Sequence, residues 1–124
     1  MPHAFIGTDV IAGFPGETDE EFVATCALIE DLPFADLHVF PYSRRPRTRA
    51  ADMPGHVPTS AVSARAACLR KIAGQKKALF LDRAIGRELL VLGQQINESN
   101  GTVKGLSREY IQVEFSITQS YILA

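Results

Sequence analysis

The fold of this chain is decided by the stretch Ile6-Gly7-Thr8-Asp9-Val10-Ile11-Ala12-Gly13-Phe14-Pro15-Gly16-Glu17-Thr18. Its apolar residues run almost without a break as far as Ala12, which is typical of a buried strand. Gly13 and the pair Pro15-Gly16 then turn the backbone, and an acidic helix opens at Thr18. A strand that stops on glycines and leads into a helix is a place where α/β proteins bind small molecules.

The residues that follow extend this pattern into a βαβ unit. Thr18 and Glu21 have the spacing of a capping box, and the helix that they open ends near Leu32-Pro33. Residues 37–40 form a second apolar run, which predicts a neighbouring parallel strand. Since parallel strands end at the same edge of a sheet, we expect the residues after both strands to lie on one ligand-binding rim.

Beyond this unit the pattern changes twice. Residues 42–58 are rich in arginine and proline and predict an irregular loop. Thr59 or Ser60 is expected to cap a long helix that reaches to about residue 84 and connects two bodies. Residues 88–95, 102–106 and 111–115 then read as short strands of a small barrel of the kind that binds oligonucleotides. Residues 119–124 show no strand pattern, so we expect this barrel to be incomplete.

Composition indicates a soluble cytoplasmic protein. The chain has 124 residues, of which 46% are hydrophobic and 22% are charged, so the apolar content is sufficient for a core. No run approaches the ~20 apolar residues needed to span a bilayer, and the chain does not start like a signal peptide. Cys26 and Cys68 are far apart in sequence and fit neither a disulfide framework nor a metal knuckle, so we expect buried free thiols.

The net charge of −1 conceals a strong asymmetry along the chain. No Lys or Arg occurs before Arg44, whereas residues 44–87 are strongly basic. Such a block attracts a polyanion, nucleic acid first, if its charges share a face, and it is otherwise a solvated helix surface. The cations that we expect to contact RNA are Arg44, Arg45, Arg47, Arg49, Lys104 and Arg108.

Four blocks of the sequence resemble one enzyme family, the radical S-adenosylmethionine methylthiotransferases. The blocks are Ile6-Gly7-Thr8-Asp9-Val10-Ile11 with Gly13-Phe14-Pro15-Gly16-Glu17-Thr18, then Leu32-Pro33-Phe34, then Leu37-His38-Val39-Phe40-Pro41-Tyr42-Ser43, then Arg45-Pro46. Met53-Pro54 and Val57-Pro58 follow at a matching spacing. The resemblance covers nearly the whole chain and favours the branch that methylthiolates threonylcarbamoyladenosine in tRNA over the isopentenyladenosine branch.

The resemblance implies a fold class and a set of site residues. Residues 1–78 match the C-terminal part of a radical enzyme barrel of α/β class, together with its connector helix. Residues 79–124 match a truncated all-β TRAM domain, which binds RNA. The implied cofactor-binding residues, which form a wall of the S-adenosylmethionine pocket, are Ile11, Gly13, Phe14, Gly16, Glu17, Phe40, Tyr42 and Ser43. Arg47 stands where the family usually has Gly, and Arg49 where it often has Pro.

The resemblance also implies what this chain lacks. The family performs its chemistry with S-adenosyl-L-methionine and two 4Fe–4S clusters, whose cysteines lie in an N-terminal domain and the early barrel. No Cys-x-x-x-Cys-x-x-Cys triplet occurs here, so we expect no catalytic residue and no metal ligand in this chain, and we expect the missing domains to be its partners together with tRNA. A stand-alone RNA-binding module, and a fragment that does not fold stably alone, remain open alternatives.

Overall fold

The computed structural model describes residues 3–117 and has mixed α/β architecture. Its elements are β1 (Gly7–Ala12), α1 (Asp19–Asp31), β2 (Asp36–Pro41), a 3-10 turn (Arg49–Asp52), α2 (Thr59–Asp82), β3 (Val91–Asn97), β4 (Thr102–Ser107) and β5 (Gln112–Ser116). Ile6–Arg83 forms one compact unit, and residues 84–117, with residues 3–5, form another. Neither helix of the described part combines the length and hydropathy needed to cross a membrane.

The βαβ prediction is confirmed. β1 and β2 are parallel and pair in register from Gly7 with Asp36 to Ala12 with Pro41. The capping box is also present, since the Glu21 amide donates to the Thr18 hydroxyl at 3.1 Å and the Thr18 amide donates to the Glu21 carboxylate at 2.9 Å. α2 packs on both strands and α1 packs against α2. Together these elements bury an apolar cluster, which comprises Ala12, Ile29, Leu37, Ala66, Leu69, Ile72 and Ala73.

The predicted start of the long helix is wrong in detail. The N-cap of α2 is Pro58, with φ −55°, and no side chain caps the helix. Because the proline ring fixes a φ compatible with helix entry, the carbonyl of Pro58 already accepts from the Val62 amide at 3.0 Å. Thr59 is therefore the first helical residue, and the helix ends at Asp82. Its buried residues lie between Val62 and Ala73, and none lies in the last nine residues of the helix.

The second unit contains an antiparallel three-stranded sheet in the order β3-β4-β5. β3 begins at Val91, three residues later than predicted, while β4 and β5 closely match the predicted strands. A register shift between Gly93 and Gln95 marks a bulge in β3. Within the described residues this sheet is open rather than a closed barrel, and residues 119–124, on which the predicted missing strand falls, lie outside them.

The two cysteines are free, but only Cys26 is partly buried, and Cys68 is exposed. The expectation that both thiols are buried is therefore wrong for Cys68, which lies on an outer position of α2. The two residues are nevertheless neighbours: burial raises the pKa of the Cys26 thiol, and the adjacent Cys68 raises that pKa further. Both lie within helices rather than in the segments that follow β1 and β2.

Candidate ligand site at the strand ends

The carboxyl ends of β1 and β2 are joined into one rim by backbone hydrogen bonds. The Tyr42 amide donates to the Ala12 carbonyl at 2.8 Å, and the Glu17 amide donates to the Phe14 carbonyl at 2.9 Å. The Gly16 amide donates to the Gly55 carbonyl, also at 2.8 Å, which fixes the end of the arginine-rich segment against the glycine turn. The structure therefore brings the residues after both strands together, as the parallel arrangement predicts.

Gly13 occupies a position that admits no side chain. Its φ is +77°, and a Cβ built on it would lie 2.5 Å from Cγ2 of Val62. α2 therefore approaches the backbone of the turn directly. Gly16 also has a positive φ, +88°, but a Cβ at that residue would meet no heavy atom of the described residues within 4 Å.

Ile11 and Phe40 form an apolar surface beside the turn. They are register partners in the sheet, and their exposed fractions are 52% and 51%. The residues that precede them, Val10 and Val39, pack against the core on the opposite face. The same outer face carries an Asp9–His38 pair, with Oδ1 and Nδ1 3.3 Å apart. One face of the sheet is thus covered by helices, and the other presents exposed apolar side chains.

Aromatic residues continue this surface onto the loops. The Phe14 ring meets the Tyr42 ring edge-on at 5.7 Å, and the Tyr42 ring lies 5.9 Å from His56. His56 is held by Nε2, which lies 3.2 Å from the Ala51 carbonyl. The Tyr42 hydroxyl is buried and has no hydrogen-bond partner within the described part of the chain. Sequence patterns did not identify His56, because a single histidine in a loop carries no spacing signal.

Glu17, which the family resemblance places at the cofactor, is engaged within the protein. Its Oε1 accepts from the Gly13 amide at 3.0 Å and from Nη1 of Arg65 at 2.7 Å. Arg65 also reaches Asp19 through Nη2 at 2.7 Å. The pKa of Arg65 is raised by its hydrogen bond to Asp19 and then by Glu17, against the opposing effect of burial. The sequence shows Arg65 only as one cation in a basic block.

The arginine-rich segment projects its charges outwards. Arg44, Arg45, Arg47 and Arg49 are all exposed, as is Ser43. Thr48 supports the segment, since its hydroxyl accepts from the Ala51 amide and donates to the Arg45 carbonyl. Arg47 has a left-handed backbone with φ +67°, a conformation that glycine adopts without strain. Arg47 therefore has a backbone conformation that favours glycine, which is the residue that the family usually has at this position.

Other cations of the basic block have structural roles. Nζ of Lys76 donates to the carbonyls of Glu30 and Leu32 at 3.0 and 2.7 Å, which satisfies the end of α1. Lys77 pairs with Asp36 at 3.4 Å. Together with Arg65, these residues show that much of the block between Arg65 and Lys77 holds the first unit together. The alternative of a purely solvated surface therefore fits only part of this helix.

Lys104 and Arg108 lie in the second unit and are exposed. Lys104 borders a polar groove of about 400 Å³ on the three-stranded sheet. The groove is lined by Gln94, Gln95, Lys104, Gly105, Gln112, Val113 and Glu114. Amide and ammonium groups of this kind can hydrogen-bond to bases, sugars and phosphates.

The described residues do not form a metal centre. No group of three or more His, Cys, Asp or Glu side chains among residues 3–117 is arranged to hold a metal ion. Cys26 and Cys68 supply only two thiols, both on helices rather than at the rim. An iron–sulfur cluster held by four thiolates therefore does not fit the residues present.

No family profile matches the chain, but individual relatives do. It is 39% identical over 125 residues to tRNA-2-methylthio-N(6)-dimethylallyladenosine synthase of Arthrobacter sp., covering 96% of this chain and 24% of the relative. It is 38% identical over 114 residues to threonylcarbamoyladenosine tRNA methylthiotransferase MtaB of Thermotoga maritima, covering 92% and 26%. It therefore spans about a quarter of the length of these curated relatives.

Proposed function

Because the chain belongs by homology to the tRNA methylthiotransferases, we propose that it is the C-terminal portion of such an enzyme. The whole cytoplasmic enzyme would add a methylthio group to C2 of N6-threonylcarbamoyladenosine in tRNA. Residues 1–78 would complete its radical enzyme barrel, and residues 79–124 would begin its TRAM domain. The chain alone would be inactive, because the cluster cysteines belong to the missing domains.

The observation that carries this proposal is the rim built from Ile11, Phe14, Phe40 and Tyr42. These side chains offer an apolar and aromatic surface beside a glycine turn, which suits the flat adenine of S-adenosylmethionine. The buried Tyr42 hydroxyl, which has no partner within residues 3–117, adds a polar group there. The residues present therefore fit one wall of a nucleoside site, and S-adenosylmethionine would supply the radical chemistry when the whole enzyme binds it.

The same turn suits a phosphate poorly. The Gly13 amide is used by Glu17, and the Gly16 amide is used by Gly55, so neither is free for an anion. The helix that follows carries Asp19, Glu20 and Glu21 in its first turn, and these carboxylates would repel a phosphate. A cofactor without phosphates agrees with both features.

The choice between the two branches has a direct test in cells. Deleting the coding sequence of this chain from its organism should abolish 2-methylthio-N6-threonylcarbamoyladenosine in digested tRNA, measured by mass spectrometry. Loss of the methylthiolated isopentenyladenosine instead would assign the chain to the other branch and refute the proposed substrate. Unchanged levels of both nucleosides would refute the enzyme, and restoration of the lost nucleoside by the reintroduced gene is the control.

We also propose that the arginine segment contacts tRNA phosphates. The double variant Arg44→Ala/Arg45→Ala should reduce the slope of log affinity against log salt by about 2, since each phosphate contact contributes roughly 0.9. The measurement is binding of bulk tRNA at several salt concentrations. Arg70→Ala/Lys71→Ala is the matched control, because it removes the same charge from exposed positions of α2.

Three results separate the RNA proposals. An unchanged slope in Arg44→Ala/Arg45→Ala would exclude this segment from the RNA contact. Equal slope changes in both double variants would indicate diffuse attraction to the whole basic surface. Salt-dependent binding by the wild-type chain, combined with unchanged nucleosides after deletion, would favour the alternative of a stand-alone RNA-binding module.

A further inference from the structure

Arg65 is one of two polar or charged residues that are buried among residues 3–117, with an exposed fraction of 8%. Its Nη1 donates to the backbone carbonyl of Glu17 at 3.0 Å and to Oε1 of the same residue at 2.7 Å. Its Nη2 donates to Asp19, and its guanidinium lies 5.5 Å from the centre of the Phe22 ring. A single side chain of α2 thus contacts the end of the glycine turn and the start of α1.

These contacts continue to the beginning of the turn. The carboxylate oxygen of Glu17 that accepts from Arg65 also accepts from the Gly13 amide at 3.0 Å. Val62, one helical turn before Arg65, packs against the Cα of Gly13. The same face of α2 therefore holds both ends of the turn, and Phe14 projects from the segment between them.

The Glu17 side chain is only 14% exposed, and its carboxylate forms a 2.7 Å ion pair with Arg65. A carboxylate left with a single amide donor at such a position would turn towards water, and the turn would lose its connection to α2. The planar guanidinium matters here, because its two nitrogens reach two carboxylates at fixed positions, which an ammonium group cannot do.

We propose that Arg65 is a positioning residue for the ligand site: it fixes the Gly13–Glu17 turn so that Phe14 and the Ile11–Phe40 surface meet the ligand. Arg65 does not touch the ligand itself. The identity of the ligand as S-adenosylmethionine rests on the proposed function, whereas the control of the turn by Arg65 does not. A preformed turn lowers the ordering cost of binding, so loosening it weakens affinity without removing a contact.

The test compares Arg65→Met and Arg65→Lys with Lys77→Met in the 124-residue chain. Lys77→Met is the matched control, since it removes one positive charge from a half-exposed position of the same helix. Two quantities are measured by NMR: hydrogen exchange at the Gly13 amide, and chemical-shift changes during a titration with S-adenosylmethionine. Chemical-shift changes detect even the weak binding that we expect when only one side of the S-adenosylmethionine pocket is present.

In Arg65→Met we expect exchange at Gly13 to accelerate at least tenfold, while the amide of the core residue Leu69 stays within about twofold of wild type. Affinity for S-adenosylmethionine should fall at least fivefold. Arg65→Lys should also accelerate exchange selectively at Gly13 and should not recover the affinity, because an ammonium group restores the charge but cannot hydrogen-bond Glu17 and Asp19 together as the guanidinium does. Lys77→Met should match wild type in both measurements.

The possible failures have different meanings. Uniform acceleration of all amides in Arg65→Lys, or an unchanged Gly13 amide in a folded Arg65→Met, would overturn the positioning role. If Arg65→Met does not fold, Arg65→Lys decides the question by the same local comparison. Selective loosening of Gly13 in the Arg65 variants, alongside a wild-type chain that shows no shift changes with S-adenosylmethionine, would confirm the positioning role and overturn the cofactor assignment.

Discussion

Replacing Gly13 with alanine should destabilise the Ile6–Arg83 unit by about 3 kcal/mol, enough to lower its melting temperature by roughly 10 °C or more. Two costs add at this position. An alanine with φ +77° loses ~1–2 kcal/mol of backbone energy, and its Cβ would lie 2.5 Å from Cγ2 of Val62. Such overpacking costs ~1–3 kcal/mol, because Val62 is 6% exposed within α2 and has little room to move.

Gly16→Ala separates the two costs. Its φ of +88° imposes a similar backbone strain, but its Cβ would meet no heavy atom within 4 Å in the described structure. We therefore expect a loss of only about 1 kcal/mol, from backbone strain alone. Gly13→Ala/Val62→Ala should be less destabilised than the sum of its single variants, because the contact with Val62 is removed. Thermal unfolding of these three variants and of Val62→Ala measures the losses. Equal losses of stability in Gly13→Ala and Gly16→Ala would contradict the close approach of α2 to the turn.

The local patterns of the first unit were largely predictable from its sequence. The apolar run before Gly13, the capping-box spacing of Thr18 and Glu21, and the second apolar run give two parallel strands joined by a helix. The rim follows from that arrangement, because parallel strands end on the same side. These features depend on neighbours in the chain, which is why spacing alone reveals them.

The long-range contacts of the site could not be predicted in this way. Arg65 lies 48 residues from Glu17, and in sequence it resembles the other cations of its block. Only the packing of α2 against the turn distinguishes a buried guanidinium, which hydrogen-bonds to two carboxylates, from a solvated charge. His56 and Gly55 were missed for the same reason, since their contacts with Tyr42 and Gly16 arise from how the loop folds back. The exposure of Cys68 likewise depends on which face of α2 is covered.

Replacing Gly105 with alanine should disrupt the β3-β4-β5 sheet. Gly105 pairs with Gly93 on one side and with Val113 on the other, and its own backbone conformation is an ordinary one. An added Cβ would lie 2.6 Å from the Leu92 carbonyl oxygen and 2.6 Å from Cγ1 of Val91. The valine side chain can rotate, but the carbonyl belongs to the neighbouring strand, so β3 and β4 would have to separate. We expect a loss of about 2–3 kcal/mol, which a sheet of only three strands tolerates poorly.

Hydrogen exchange at the amides of β3 and β4 measures this effect directly. Gly105→Ala should accelerate exchange by about thirtyfold or more at paired positions such as Leu92 and Leu106, which follows from a loss of ~2 kcal/mol. Gly101→Ala is the matched control in the preceding turn: it has φ +66°, but its Cβ would meet nothing within 4 Å in the described structure. That variant carries only backbone strain, so its exchange should accelerate less than in Gly105→Ala. Comparable acceleration in both would show that turn strain, rather than strand separation, governs this sheet.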